Sequence, residues 1–290
     1  MTNPADPPID AVPVPGGAVS GGAEVRTLGA GRSVSAFAVE QTGWIVLHAE
    51  KVHVLTESFP GDLEQAVAAV SDDEAVRSVV LVGTSRVFCA GADISLASRL
   101  RGPAFGRWWL SAHHAALESL AELPKPVVAA VNGAAAGAGF NLALACDAVV
   151  AASSASFSQA FIRIGLATDM GSIHLLPRRV GFQRARELMY SGRTLDAAEA
   201  LAIGAVDEVV EPERLVAAAR ARAEALGAGP LQAFSAVKAG MAQGAELGLH
   251  DSLELELELQ MDVLASEDFA EGTAAFLEKR EPRYTGGPAL

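Results

Sequence analysis

The chain is poor in cysteine, in aromatic residues and in positive charge. Only Cys89 and Cys146 occur among its 290 residues. Two thiols make no disulfide framework, so a reducing cytoplasm is the expected setting. Lysine and arginine number 22 against 35 aspartates and glutamates, for a net charge of −13. Proteins that grip nucleic acid or an anionic membrane carry the opposite sign, so neither partner is expected. Aromatics make up 6% while the apolar set reaches 50%. Alanine fills the gap at roughly a fifth of the chain, well above ordinary usage. Small side chains let backbones approach closely. With charged residues held to 20%, the chain has the makings of a sizeable core.

No secretion signal is legible at the start. Residues 1–32 carry Pro4, Pro7, Pro8, Pro13 and Pro15, then Gly16, Gly17, Gly21 and Gly22. They show no basic region and no continuous apolar run, so they read as a disordered tail outside the fold. No clean membrane span is present either. Residues 127–152 are long enough to cross a bilayer. They nevertheless contain Asn132, Asn141 and Asp147, and Asn132-Gly133 splits them with a turn signal. A strand, a glycine-rich turn and a short buried helix are expected there.

From residue 34 the pattern alternates strands with helices. Residues 34–39 and 44–47 flank Gln41-Thr42-Gly43 as a hairpin, and 78–82, 127–131, 148–151 and 206–210 read as buried strands. Helical spacing marks 62–70, with Asp62 as its N-cap, and 105–123. Beyond about residue 212 the chain turns helical. In 253–259 leucine and glutamate alternate strictly, a strand period. Both are strong helix formers, however, and Leu253, Leu257, Met261 and Leu264 form a helical stripe, so helix is expected. The result is an α/β core over 33–225 with a helical region over 226–290.

Chemistry concentrates in three glycine-bearing segments, 88–94, 132–141 and 164–171. Gly137-x-Gly139 lacks the third glycine of a dinucleotide fingerprint and the lysine of a phosphate loop. No Gly-x-Ser-x-Gly elbow occurs. His113-His114 has no metal-ligand spacing to other residues and reads as a helix-surface pair, so no metal site is expected. Backbone chemistry remains. A helix starting near Ala138 would point free N–H groups at whatever precedes it, and two such groups converging on one oxygen make an oxyanion hole. Close helix–strand packing would ask for the same small residues.

The residues themselves go further. Val87-Phe88-Cys89-Ala90-Gly91-Ala92-Asp93-Ile94 is followed by Lys125-Pro126-Val127-Val128-Ala129-Ala130-Val131-Asn132-Gly133. Then come Gly137-Ala138-Gly139, Leu142-Ala143-Leu144-Ala145-Cys146-Asp147, Leu176-Pro177-Arg178-Arg179-Val180-Gly181, and Ala275-Phe276-Leu277-Glu278-Lys279-Arg280. In this order, over residues 34–285, they resemble the crotonase (enoyl-CoA hydratase/isomerase) superfamily. In motif the chain looks most like the 2-(1,2-epoxy-1,2-dihydrophenyl)acetyl-CoA isomerase and Δ3,Δ2-enoyl-CoA isomerase group.

The resemblance implies a spiral of ββα units, a C-terminal helical trimerisation region, and a homotrimer or a hexamer made of two trimers. It implies acyl-CoA thioesters as substrates, with no separate cofactor. The N–H groups of Ala92 and Ala138 would form the oxyanion hole. Ala90, Asp93, Ile94, Gly137, Asn141 and Phe161 would line the substrate site, and Trp108, Trp109 and Phe140 stand between acyl pocket and core. Val54, Phe276 and Lys279 would contact coenzyme A, the last two from a neighbouring subunit, with Lys51 a further phosphate candidate. Two positions depart from the hydratases of the family. Asn141 and Phe161 stand where those enzymes carry glutamates, and neither moves a proton. Asp169 instead matches the aspartate of the isomerases. One carboxylate suffices for a 1,3-proton shift, whereas hydration needs a base for water and an acid for carbon. The expected activity is therefore double-bond migration in an enoyl-CoA. A hydratase with other acid/base groups, or a silent acyl-CoA binder, is the alternative. Asp169 would serve equally as a helix N-cap, and Asn141 as a buried amide satisfied by backbone.

Overall fold

The computed structural model describes residues 25–49, 52–84 and 86–286; Lys51 and residues 1–24 lie outside them. Seven strands form one sheet. In spatial order they are β1 (Val25–Ala30), β2 (Val34–Val39), β3 (Thr42–Leu47), β4 (Ser78–Gly83), β6 (Val127–Val131), β8 (Ala148–Ala152) and β11 (Glu208–Val210). The first three pair antiparallel, and β3 onward pair parallel. A second, four-stranded sheet holds β5 (Val87–Cys89), β7 (Ala134–Ala136), β9 (Ser156–Ser158) and β10 (Thr194–Asp196), in the order β10–β9–β7–β5.

Three successive parallel strands of the large sheet thus each pass directly to a short strand of the small one: β4 to β5, β6 to β7, β8 to β9. The helices α1 (Phe59–Asp72), α2 (Ala97–Leu100), α3 (Pro103–Ala121), α4 (Ala138–Leu144), α5 (Ser172–Val180), α6 (Phe182–Ser191) and α7 (Ala197–Ala202) fall between or after these strands. This is the expected spiral of ββα units. The tail end is helical: α8 (Leu215–Gly227), α9 (Leu231–Gly244), α10 (Leu249–Leu264) and α11 (Glu267–Glu278). The Leu/Glu alternation of 253–259 lies within α10.

Both faces of the large sheet are covered, which is why its strands read as unbroken Val/Ala/Leu runs. The pleat sends Val127, Ala129 and Val131 into the main core with α1 and α3, and Val128 and Ala130 into a second cluster with Leu215, Ala219 and Ala223 of α8. The 127–152 segment resolves into β6, the Asn132-Gly133 turn, β7, α4 and β8. Among the described residues no helix is long and apolar enough to cross a membrane.

Three expectations need correction. The tail does not reach residue 32, because residues 25–30 form the edge strand β1. Its Val-Arg-Thr-Leu-Gly-Ala sequence is half exposed, so its strand character comes from antiparallel pairing with β2 rather than from an apolar pattern. Asp62 is not an N-cap. The helix begins at Phe59 with Pro60 in its first turn, and the Asp62 carboxylate accepts from the backbone N–H and the hydroxyl of Ser33, at 2.8 and 2.7 Å. The strand at 206–210 is confined to Glu208–Val210.

The other end of α1 is closed by Lys125, just ahead of β6. Its Nζ donates to the carbonyls of Val70, Ser71 and Asp73 at 2.8–2.9 Å. This satisfies the orphan carbonyls of the helix terminus with a cation at the negative end of the dipole.

Candidate active site

The site assembles where two strand-to-loop turns meet. After β5 the chain passes through Gly91, held at φ +88°, and crosses Leu55 in a single parallel bridge. Leu55 N–H donates to Gly91 O at 2.8 Å, and Asp93 N–H donates to Leu55 O at 3.1 Å. A parallel bridge uses the groups flanking the bracketed residue, so the N–H of Ala92 points away from Leu55. After β7, Gly137 at φ +54° gives its own N–H to Ser158 O at 2.8 Å and opens α4 at Ala138. As the first helical residue, Ala138 has no intrahelical acceptor for its N–H. Among the described residues, neither the Ala92 nor the Ala138 N–H has a hydrogen-bond partner.

The two turns are in close contact. A β-carbon on Gly91 would lie 3.7 Å from the Ala138 nitrogen, and one on Gly139 would lie 2.1 Å from the Cys89 carbonyl oxygen. Glycine at 139 therefore sets how near the helix start comes to the loop after β5. The Phe161 ring closes the other side, 3.4 Å from where a Gly137 β-carbon would be. Two free N–H groups on adjacent turns, one at a helix N-terminus, are what an oxygen gaining negative charge requires.

Asp169 comes to this place through Asn141. Asn141 is fully buried on α4; its Nδ2 donates to the Asp169 carbonyl at 2.8 Å, and its Oδ1 accepts from Gln159 Nε2 at 2.8 Å. It is thus the satisfied buried amide rather than a free group on a pocket wall. Asp169 does not cap α5: the helix is preceded by Gly171 and has no side-chain cap. The Asp169 Oδ1 accepts instead from its neighbour's N–H, Met170 N, at 2.6 Å and meets His114 Nε2 at 2.5 Å. The backbone there is strained. Met170 takes φ +50° and Gly171 φ +73°, two successive left-handed residues. For Met170 that conformation costs about 1–2 kcal/mol, and its buried side chain anchors it in the core.

The comparisons with known proteins show the family. The enoyl-CoA hydratase/isomerase family matches residues 44–287. The chain belongs to that family. It is 44% identical over 210 residues to a Rhodobacter capsulatus protein named "Probable enoyl-CoA hydratase", covering 72% of this chain and 81% of that one. It is 37% identical over 240 residues to the 1,2-epoxyphenylacetyl-CoA isomerase of Escherichia coli K12, covering 82% and 92%. Among solved structures, an enoyl-CoA hydratase from Polaromonas sp. JS666 is similar with a TM-score of 0.82 at 33% identity, over 87% of this chain and 99% of that one. The protein is therefore an enzyme of the enoyl-CoA hydratase/isomerase family, acting on CoA thioesters.

Not every residue expected of such a site is at its centre. Ala90 donates its N–H to His53 O at 2.9 Å and is exposed. Asp93 spends its carboxylate on the Ser95 N–H, 2.9 Å away, as the cap of a short 3₁₀ turn. Ile94, in that turn, is 66% exposed. Phe140 and Trp109 are core residues. Phe140 packs on Phe157 with ring centroids 5.1 Å apart, and Trp109 packs on His113 at 4.1 Å, while Trp108 is half exposed. Val54 lines a cavity of about 610 Å³ with Arg32, His48 and Thr56. Phe276, on α11, and Lys279, just beyond it, are both exposed, Phe276 to 84%.

The histidines differ most from expectation. His113-His114 is not a surface pair. His113 is buried, its Nδ1 2.8 Å from Trp109 O, and only His114 faces outward, toward Asp169. The signal was in the helix period: His113 shares a stripe with Trp109, Ala116, Leu117 and Leu120, the buried residues of α3. Consecutive helical residues are about 100° apart, so placing His113 inward sends His114 to another face.

Proposed function

We propose that this enzyme moves a carbon–carbon double bond in an enoyl-CoA thioester by a 1,3-proton shift. The carrying observation is that the loop bearing Asp169 is tied to α4 through its backbone carbonyl and turns its carboxylate to His114 of α3, while by resemblance Asn141 and Phe161 stand where the family's hydratases carry glutamates. Asn141 is buried, with both ends of its amide bonded. Phe161 offers no proton.

In this reading the thioester oxygen sits between the Ala92 and Ala138 N–H groups. Asp169 takes the proton from the carbon next to the thioester carbonyl of a 3-enoyl-CoA. The C–H electron pair delocalises through the conjugated system onto the thioester oxygen, giving a dienolate. The protonated Asp169 then returns the proton two carbons further along, and the charge flows back to form the 2-enoyl-CoA. The oxyanion hole lowers the barrier because its donors are worth most when the oxygen is charged. Gly137 and Phe161 border the thioester end of the site. Coenzyme A is part of the substrate, and no separate cofactor is needed. Val54 and its cavity, with Phe276 and Lys279 from a neighbouring subunit, would hold the coenzyme A portion of the substrate. The assembly would be a homotrimer or paired trimers in the cytoplasm, consistent with the exposed apolar residues of α9–α11 and the two free, buried thiols.

Parallel assays with a 3-enoyl-CoA and with crotonyl-CoA test the reading. Isomerisation of the first at enzymatic rate, with slow or no hydration of the second, supports it. Full-speed hydration of crotonyl-CoA overturns it.

A further inference from the structure

We infer that His114 is a positioning residue for Asp169, fixing which carboxylate oxygen carries the proton. This rests on the proton-shuttle reading of Asp169 given above.

The geometry is asymmetric. Asp169 Oδ1 is engaged twice, by the Met170 N–H at 2.6 Å and by His114 Nε2 at 2.5 Å. No hydrogen bond reaches Oδ2 among the described residues. A carboxylate accepts, so Nε2 is the donating nitrogen of the His114 ring. With Oδ1 saturated, Oδ2 is the oxygen left free to take a proton and give it back. Both partners have a reason to be where they are. Asp169 sits on a loop whose backbone is pinned by Asn141 and by the left-handed turn at Met170 and Gly171, but the Met170 N–H alone leaves the carboxylate able to pivot about Oδ1. His114 comes from α3, a 19-residue helix anchored by the buried Trp109, His113 and Leu117, and holds the side chain from a rigid element 55 residues away in sequence.

A carboxylate that must collect a proton at one carbon and deliver it two carbons away profits from a fixed orientation, because small misplacements of a reacting group are costly. As a stability device the pair would contribute little, since His114 is half exposed and such pairs are screened by solvent. The arrangement therefore makes sense as orientation rather than as a structural tie.

The test uses the full-length protein with a 3-enoyl-CoA such as 3-hexenoyl-CoA, comparing wild type, His114→Ala, His114→Gln and Asp169→Asn. His114→Ala is expected to lower kcat about 10-fold or more with KM changed by less than about twofold, the split expected when orientation rather than binding is lost. His114→Gln places an amide N–H near the lost Nε2 and is expected to recover most of kcat. The melting temperatures of the two His114 variants should match wild type. A merely structural histidine would lower the melting temperature and would not be rescued in kcat by glutamine. Wild-type kcat in His114→Ala, or equal loss in Ala and Gln, overturns the inference. Asp169→Asn separates the two layers. If it is inactive while His114→Ala is at wild-type rate, only the positioning role falls. If Asp169→Asn isomerises at wild-type rate, the shuttle itself falls and the positioning role with it.

Discussion

Asn141 donates its amide to the carbonyl oxygen of Asp169 at 2.8 Å, joining α4, whose first N–H is free, to the loop that carries the Asp169 carboxylate. The amide oxygen is itself held by Gln159. Asn141→Ala therefore leaves the buried Gln159 amide without its partner and the Asp169 carbonyl with only the Ser172 N–H, 3.2 Å away. The expected cost is about 1–3 kcal/mol, read from a urea or thermal transition. Because the two halves of the site are then uncoupled, kcat should fall by more than KM rises. Unchanged kinetics in a folded Asn141→Ala would show that the bond does not position Asp169.

Glycine at 139 is required by contact. Gly139→Ala would put a methyl 2.1 Å from the Cys89 carbonyl oxygen, a backbone atom that cannot move without moving the Gly91–Ala92 turn. A loss of about 1–3 kcal/mol is expected, together with a sharp drop in activity. Gly61 is the control. It lies in the first turn of α1 with nothing within 4 Å of its would-be β-carbon. Gly61→Ala should be neutral or stabilise by up to about 1 kcal/mol, with unchanged activity.

Acid should weaken the fold through its buried histidines. His53 is buried against Phe59 with ring centroids 5.7 Å apart, and burial pushes its pKa from 6.5 down to about 4. Burial also lowers the pKa of His48 and His113. Between pH 6.5 and 4 the unfolded chain binds the His53 proton and the folded chain does not. The stability that neutral His53 confers is thus complete above 6.5 and is lost as the pH falls toward 4. The loss approaches about 3 kcal/mol for this residue alone. Denaturation midpoints measured from pH 7.5 to 4.5 should fall, and His53→Phe should flatten that decline. A pH-independent wild-type midpoint would contradict it.

Much of the fold was legible because it is built from contrasts that sequence carries well. The valine and alanine runs of β4, β6 and β8 are buried on both faces, and Asn132-Gly133 marks the turn between the two sheets. The Leu/Glu run of α10 was decided by propensity against period. β1 escaped because an edge strand held by backbone pairing needs no apolar alternation. In the site, Gly91, Gly137 and Gly139 announced themselves by type, and Asp169 by its motif. The use of each group did not. Whether Asp169 caps a helix or faces α3 depends on the left-handed turn at Met170, a residue type that does not advertise such a conformation. Whether Asn141 is free or satisfied depends on Gln159, 18 residues away. His114 meets Asp169 only through the register of α3 against a loop 55 residues on, and no local pattern encodes that.

In the proposed reaction one carboxylate, Asp169, moves the proton. The most direct measurement is the isomerisation rate of a 3-enoyl-CoA by Asp169→Asn beside wild type, with circular dichroism and melting temperature confirming that both are folded. Removal of a general acid–base group predicts a fall of about 10²–10⁴-fold in kcat, with binding of the CoA ester retained. An Asp169→Asn enzyme that isomerises at the wild-type rate would contradict the account.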